Sequence, residues 1–150
     1  VEAVAQLARE LDARSAVLIY PEGSRFAVEK LKRGIEALRE RKLDKLAAMA
    51  SGFRHVLPPR LGGPLALLEA APGVDLLLLE HTGFEGAATF ARFWSGELVG
   101  RTIRVRLRRF AAAAIPASGR DQWLFERWTE MDDWIARSSP TGVAAGPAAR

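Results

Sequence analysis

Residues 16–20, Ala-Val-Leu-Ile-Tyr, form an unbroken apolar run that stops at Pro21. A run this short, bounded by turn residues, reads as a strand buried on both faces rather than an amphipathic helix. Proline has no N–H to give a sheet ladder, so the strand is expected to end there. Glu22, Gly23, Ser24 and Arg25 follow: a carboxylate, a residue without a side chain, a hydroxyl and a guanidinium. In open α/β sheets, ligand sites lie just past the C-terminal ends of strands. Gly23 allows a backbone or a ligand to approach closely, and Arg25 offers a planar fork of donors suited to a phosphate or carboxylate. Glu22 is placed to pair with Arg25, to orient it, or to accept a proton from a substrate hydroxyl. The plainer alternative is a polar turn with a surface ion pair of little energetic worth. The stretch alone does not decide between them.

At 150 residues the chain suits one domain of ordinary size. A hydrophobic fraction of 49% and a charged fraction of 27% are those of a globular protein. The net charge of +4 favours anionic partners without naming one. The chain has no cysteine, which excludes disulfides and thiolate metal sites, and its two histidines leave little for a His-rich metal centre. No apolar run approaches the roughly 18 residues of a membrane span, and no secretory leader is recognisable. The chain opens at Val1 directly into helix-like sequence, so it is expected to be a piece of something longer.

Val4, Leu7, Ala8 and Leu11 fall at i, i+3, i+4 and i+7, the spacing of an amphipathic helix over 2–12. A second helical region spans 28–50, with Leu31, Ile35 and Leu38 on one face and Leu43, Leu46 and Met49 beyond a break near Lys42. Its charges are mixed in sign and read as a solvated face. Residues 53–57 read as a short strand, and a second turn holds Pro59, Arg60 and Gly63. Pro64 is placed to open a helix over 65–71, and 74–79 read as another buried strand. A polar loop over 80–86 leads into a mixed stretch, 87–98. Residues 102–108 then alternate, with Ile103, Val105 and Leu107 on one face and Thr102, Arg104, Arg106 and Arg108 on the other. Those guanidiniums suit anionic headgroups or an acidic carrier protein, or else form a charged face that discourages edge-to-edge pairing. Ser118 and Asp121 have the spacing of a capping pair, and Leu124, Trp128, Met131 and Ile135 form the stripe of a last helix ending near 136. Trp128 reads as core, whereas Trp123 and Trp134 are open to a membrane-interface role. Ser, Pro, Gly and Ala dominate 138–150, which is expected to be a disordered tail.

Taken in order, these residues resemble the glycerolipid acyltransferases of the 1-acylglycerol-3-phosphate (lysophosphatidate) acyltransferase type. The third sequence block of that family is an apolar strand followed by Pro-Glu-Gly-Thr-Arg, and here it stands as Pro21, Glu22, Gly23, Ser24 and Arg25. Phe26 and Glu29-Lys30 are similar to the usual continuation. One branch carries a Leu-x-Pro-Arg/Lys-x-x-Gly turn, matched by Leu57, Pro59, Arg60 and Gly63. Residues 74–79, Thr82-Gly83, the basic strand 103–109, Trp123-Leu124 and Asp132 keep that branch's order, so the resemblance covers roughly 1–137.

The resemblance implies an α/β fold, a mixed and mostly buried sheet flanked by helices, of the glycerol-3-phosphate acyltransferase-like kind without its N-terminal part. It implies transfer of a fatty acyl group from acyl-CoA or acyl-carrier protein to a lysophospholipid hydroxyl. That chemistry belongs to phospholipid synthesis at the cytoplasmic face of a membrane, with peripheral contact to its anionic surface. Arg25 would be the principal phosphate donor, with Glu22 and Gly23 shaping the pocket. Ser24 would add a hydroxyl or cap the next helix, and Arg60 would be a second phosphate ligand. Pro21, Pro59 and Gly63 would set the turns. No cofactor, metal or nucleic acid is implied. The family's catalytic His-x-x-x-x-Asp finds no match, since five positions past His55 stands Arg60 and five past His81 stands Gly86. The chain alone is therefore expected to be inactive. The competing reading is a non-catalytic module that binds anionic lipid through the basic strand 102–109.

Overall fold

The structure, a computed structural model, describes residues 2–12, 14–84, 99–100 and 102–138. The described residues form five α-helices and one two-stranded antiparallel sheet. The mixed α/β character expected from the sequence is present, but the sheet is small.

Helix α1 (Glu2–Arg9) buries Ala5 and Ala8 and packs on α4 (Gly62–Ala70), whose Pro64 and Leu68 are buried. Leu7, expected on the apolar stripe, is half exposed. The helical region 28–50 divides into α2 (Val28–Glu40) and α3 (Asp44–Ala50), with the break at Lys42, whose φ is 59°. There Leu43 N donates to Leu38 O at 2.9 Å and Lys42 N to Arg39 O at 2.8 Å. This is a Schellman closure with a lysine where glycine is usual. Helix α5 (Arg120–Ser138) starts just after Gly119 and extends through Ser138. It is anchored early, where Arg120 donates to Pro116 O and to Leu68 O near the end of α4. The core lies between α2, α3, residues 53–61, the sheet and α5, and Phe125, Leu124, Trp128 and Met131 are its α5 contribution.

Strand β1 (Leu76–Thr82) pairs with β2 (Arg104–Phe110). Leu78 faces Arg108, Glu80 faces Arg106 and Thr82 faces Arg104 on the side turned towards α5, while Leu77 faces Arg109 and Leu79 faces Leu107 on the other side. The arginine row expected outermost is thus the inner row, and the apolar row is the exposed one. The physical reason is Glu80, which is 1% exposed and needs cationic partners where it is buried.

Two expected strands are absent. Residues 16–20 form no ladder, and Leu18 and Tyr20 are 73% and 78% exposed. Val17 and Ile19 are half-buried, so the run packs one side only. Residues 53–57 also form no ladder, because side chains take the amide protons a neighbouring strand would have bonded. A mostly buried sheet is therefore corrected to a two-stranded one with an open face. The expected stretch 87–98 and the tail from 139 lie outside the described residues. No described helix is long and apolar enough to cross a membrane.

Candidate phosphate-binding groove

The Pro-Glu-Gly-Ser-Arg stretch begins in a tight turn. Gly23 N donates to Tyr20 O at 3.0 Å, with Pro21 at the position that favours its fixed φ and Gly23 at the turn's end. Glu22 points inward. Its Oε2 accepts from Leu57 N at 3.0 Å and its Oε1 from the Trp128 indole N–H at 3.3 Å. The Pro21 carbonyl accepts from Arg60 N at 2.9 Å. Two turns more than thirty residues apart are thereby joined along their backbones.

The Arg60 side chain crosses this junction. A Cβ built on Gly23 would lie 3.0 Å from the central carbon of its guanidinium, and Gly23 holds a φ of +67°. Any side chain at that position would both strain the backbone and push Arg60 away. Gly34 plays a similar part on α2, where a Cβ would come within 3.2 Å of Pro58. These two approaches set the walls of an open groove of about 420 Å³ between α2 and the two turns. Its polar lining is Ser24, Lys30, Arg33, Arg41 and Arg60, with Glu22 at its inner end.

The groove is strongly cationic. Lys30 Nζ donates to Arg25 O and Arg33 Nε to Glu29 O, each at 3.3 Å. Among the described residues, no carboxylate forms an ion pair with Lys30, Arg33, Arg41 or Arg60. Burial pushes the Glu22 carboxyl above the usual range; the Leu57 and Trp128 hydrogen bonds oppose this shift, and the nearby Asp132 charge adds to it.

The arginine strand is the reverse case. Arg106 and Arg108 both bond Glu80, Arg108 also bonds Glu130, and Arg109 bonds Asp75. Arg127 pairs with Glu130 at 2.7 Å and lies over the rings of Phe110 and Trp123. Arg106 covers Trp134 at 4.8 Å. The strand's guanidiniums are largely spent internally, and Trp123 and Trp134 are packed beneath arginines.

Of the residues singled out in the sequence, the structure brings Glu22, Gly23, Ser24 and Arg60 together, with Pro21 bonded to Arg60 and Pro59 buried beside it. Arg25, expected to be the principal donor, is exposed and outside the groove lining. Glu22 does not orient it. Gly63 sits in the first turn of α4, away from the groove. His55 and His81 are exposed, with the His81 ring edge-on to Phe84 at 5.1 Å, and neither lines the groove. Sequence reasoning gives the charges of 28–50 only as a solvated face of mixed sign and quotes Lys30 only for the resemblance. Yet the spacing of Lys30, Arg33 and Arg41, three and eight residues, sets them along one side of α2 and its C-cap. Asp132 has the least legible role. It is buried in α5 and accepts from the backbone N–H groups of Arg54, His55 and Val56.

No family model matches the chain, and no curated protein or solved structure matches it either.

Proposed function

We propose that the chain is the acceptor-binding part of a glycerolipid acyltransferase, holding the phosphate of a lysophosphatidate-like acceptor in the α2 groove. One observation carries this reading. The two turns that resemble the family's motifs meet at a single groove, with Arg60 docked on Pro21 and Gly23, and its cations have no carboxylate partners among the described residues. In the reaction, the acceptor hydroxyl forms an ester bond to the acyl carbon as the bond from that carbon to sulfur breaks. The thiol of acyl-CoA or acyl-carrier protein leaves, and the hydroxyl proton passes to a general base. The resemblance makes that base a histidine oriented by a carboxylate, and neither histidine of the chain lines the groove. The setting is phospholipid synthesis, peripheral to the cytoplasmic face of a membrane. Arg60 replaces Arg25 as the principal phosphate donor, and Lys30, Arg33 and Ser24 assist it.

Calorimetric titration with a short-chain lysophosphatidate, against the matching monoacylglycerol, tests the reading. Lysophosphatidate should bind in preference. Arg60→Ala should weaken it by about tenfold or more, the equivalent of roughly 1.5–3 kcal/mol for a charged hydrogen bond. Equal binding of the uncharged lipid, or an unaffected Arg60→Ala variant, would overturn the proposal.

A further inference from the structure

Four consecutive amides, from Arg54 to Leu57, lie outside any helix or strand, and two carboxylates take their protons. Asp132 Oδ1 accepts from Arg54 at 3.0 Å, His55 at 2.6 Å and Val56 at 3.1 Å, and its Oδ2 accepts from Arg54 at 3.1 Å. Glu22 completes the row at Leu57 with a 3.0 Å bond. Neither carboxylate has a cationic partner among the described residues. Turning two carboxylates inward side by side is costly, and aligned amide dipoles are what offset the cost here.

The segment held in this way runs straight into the groove. Leu57 is followed by Pro58, Pro59 and Arg60. Each proline fixes φ near about −65°, so the orientation imposed at 54–57 is passed on stiffly rather than lost in a flexible link. At the far end Arg60 is held again by Pro21 O on its amide, and its guanidinium passes close over Gly23. On α5 the two groups behind this arrangement are one turn apart. Asp132 holds the segment directly, and Trp128 holds Glu22 through its indole N–H at 3.3 Å.

We infer that Asp132 and Glu22 are positioning residues for the groove: together they clamp residues 54–57 so that the Pro58-Pro59 link presents the Arg60 guanidinium over Gly23 to an incoming phosphate. This rests on the phosphate-binding reading of the groove and assigns α5 a part in it. Neither residue is required to touch the ligand's phosphate. Their effect passes through Arg60.

The test is a double-mutant cycle read as affinity for short-chain lysophosphatidate by the full chain. Asp132→Asn and Arg60→Ala should each weaken binding about tenfold, and the double variant should bind no worse than Arg60→Ala alone, because both changes remove the same interaction. A merely stabilising role for Asp132 would leave the two effects additive, and additivity would overturn the inference. Trp128→Phe gives an independent arm, since it keeps a ring in the core but takes the donor from Glu22. It should weaken binding about threefold, again with no added loss in the Arg60→Ala background. The Trp128 indole N–H resonance should move when lysophosphatidate is added to the wild type and stay put in Arg60→Ala. If Asp132→Asn does not fold, the Trp128→Phe cycle and this resonance decide, and unchanged affinity with an unmoved signal rejects the clamp. If Arg60→Ala itself binds normally, the phosphate-binding reading fails first. If Arg60→Ala binds weakly and Asp132→Asn normally, only the clamp fails.

Discussion

Glu22 takes its hydrogen bonds from an amide and an indole, and its carboxyl is pushed above the usual range chiefly by burial. In the unfolded chain the group ionises in the ordinary carboxylate range. Between that range and its higher native value, the folded protein binds more protons than the unfolded one. The stabilising contribution is therefore complete at acidic pH and is lost as pH rises through the native value. Relative to Glu22→Gln, the wild type should lose stability as pH is raised from about 4 to 7, measured by urea unfolding at each pH. A difference that is flat or of opposite slope would contradict it. Asp75 and Asp12 run the other way. The Ala112 amide and Arg109 hold Asp75 below the usual range, as the Ser15 hydroxyl and the Arg14 amide hold Asp12, so both contribute at neutral pH and lose that in acid. The sequence marked Glu22 as consequential but could not say for what, since its partners lie 35 and 106 positions away.

At the level of the elements, periodicity located the helices, and the break at Lys42 emerged where two apolar stripes fall out of phase. That break carries a left-handed lysine, φ 59°, at a position glycine usually fills. Relief of roughly 1–2 kcal/mol of left-handed strain, less about 0.5–1 kcal/mol of extra unfolded-chain freedom, makes Lys42→Gly stabilising by about 0.5–1 kcal/mol. A raised urea midpoint at unchanged slope is the expected result; a lowered midpoint would contradict the strain argument. The strands were less legible. An apolar run records that a segment is partly buried, not that another strand lies beside it. Residues 53–57 have buried Phe53, Val56 and Leu57, yet the amides of 54–57 answer to carboxylates. The alternation over β2 was readable, but which row faced inward depended on Glu80 of β1, a partner no local pattern reveals. The groove was half legible. Its turns stood out as motifs, while the α2 cations looked like any solvated helix face.

Across the whole molecule, the outward face of the sheet carries Leu77 and Leu107, 60% and 59% exposed, beside Leu79 and Val105. Such a contiguous apolar row on an antiparallel pair favours association. The chain on its own is expected to self-associate as its concentration rises, and Leu77→Lys with Leu107→Lys to reduce this without lowering the unfolding midpoint. Sedimentation velocity distinguishes the two, and a monodisperse wild-type monomer at high concentration would argue against the expectation. The arginine row offers no comparable surface, because Arg106 and Arg108 are occupied by Glu80 and Glu130.

The hold of Asp132 on Arg54, His55 and Val56 spans 76 to 78 positions, and that span has a temporal meaning. A ribosome delivers the chain from its N-terminus, so every side chain that lines the groove is synthesised long before the residue that orients the turn between them. Until α5 has emerged, the nascent chain carries the groove's lining residues without the carboxylate that orients the turn between them. On the proposed function, phosphate binding would then follow the synthesis of α5 rather than that of the residues which touch the phosphate.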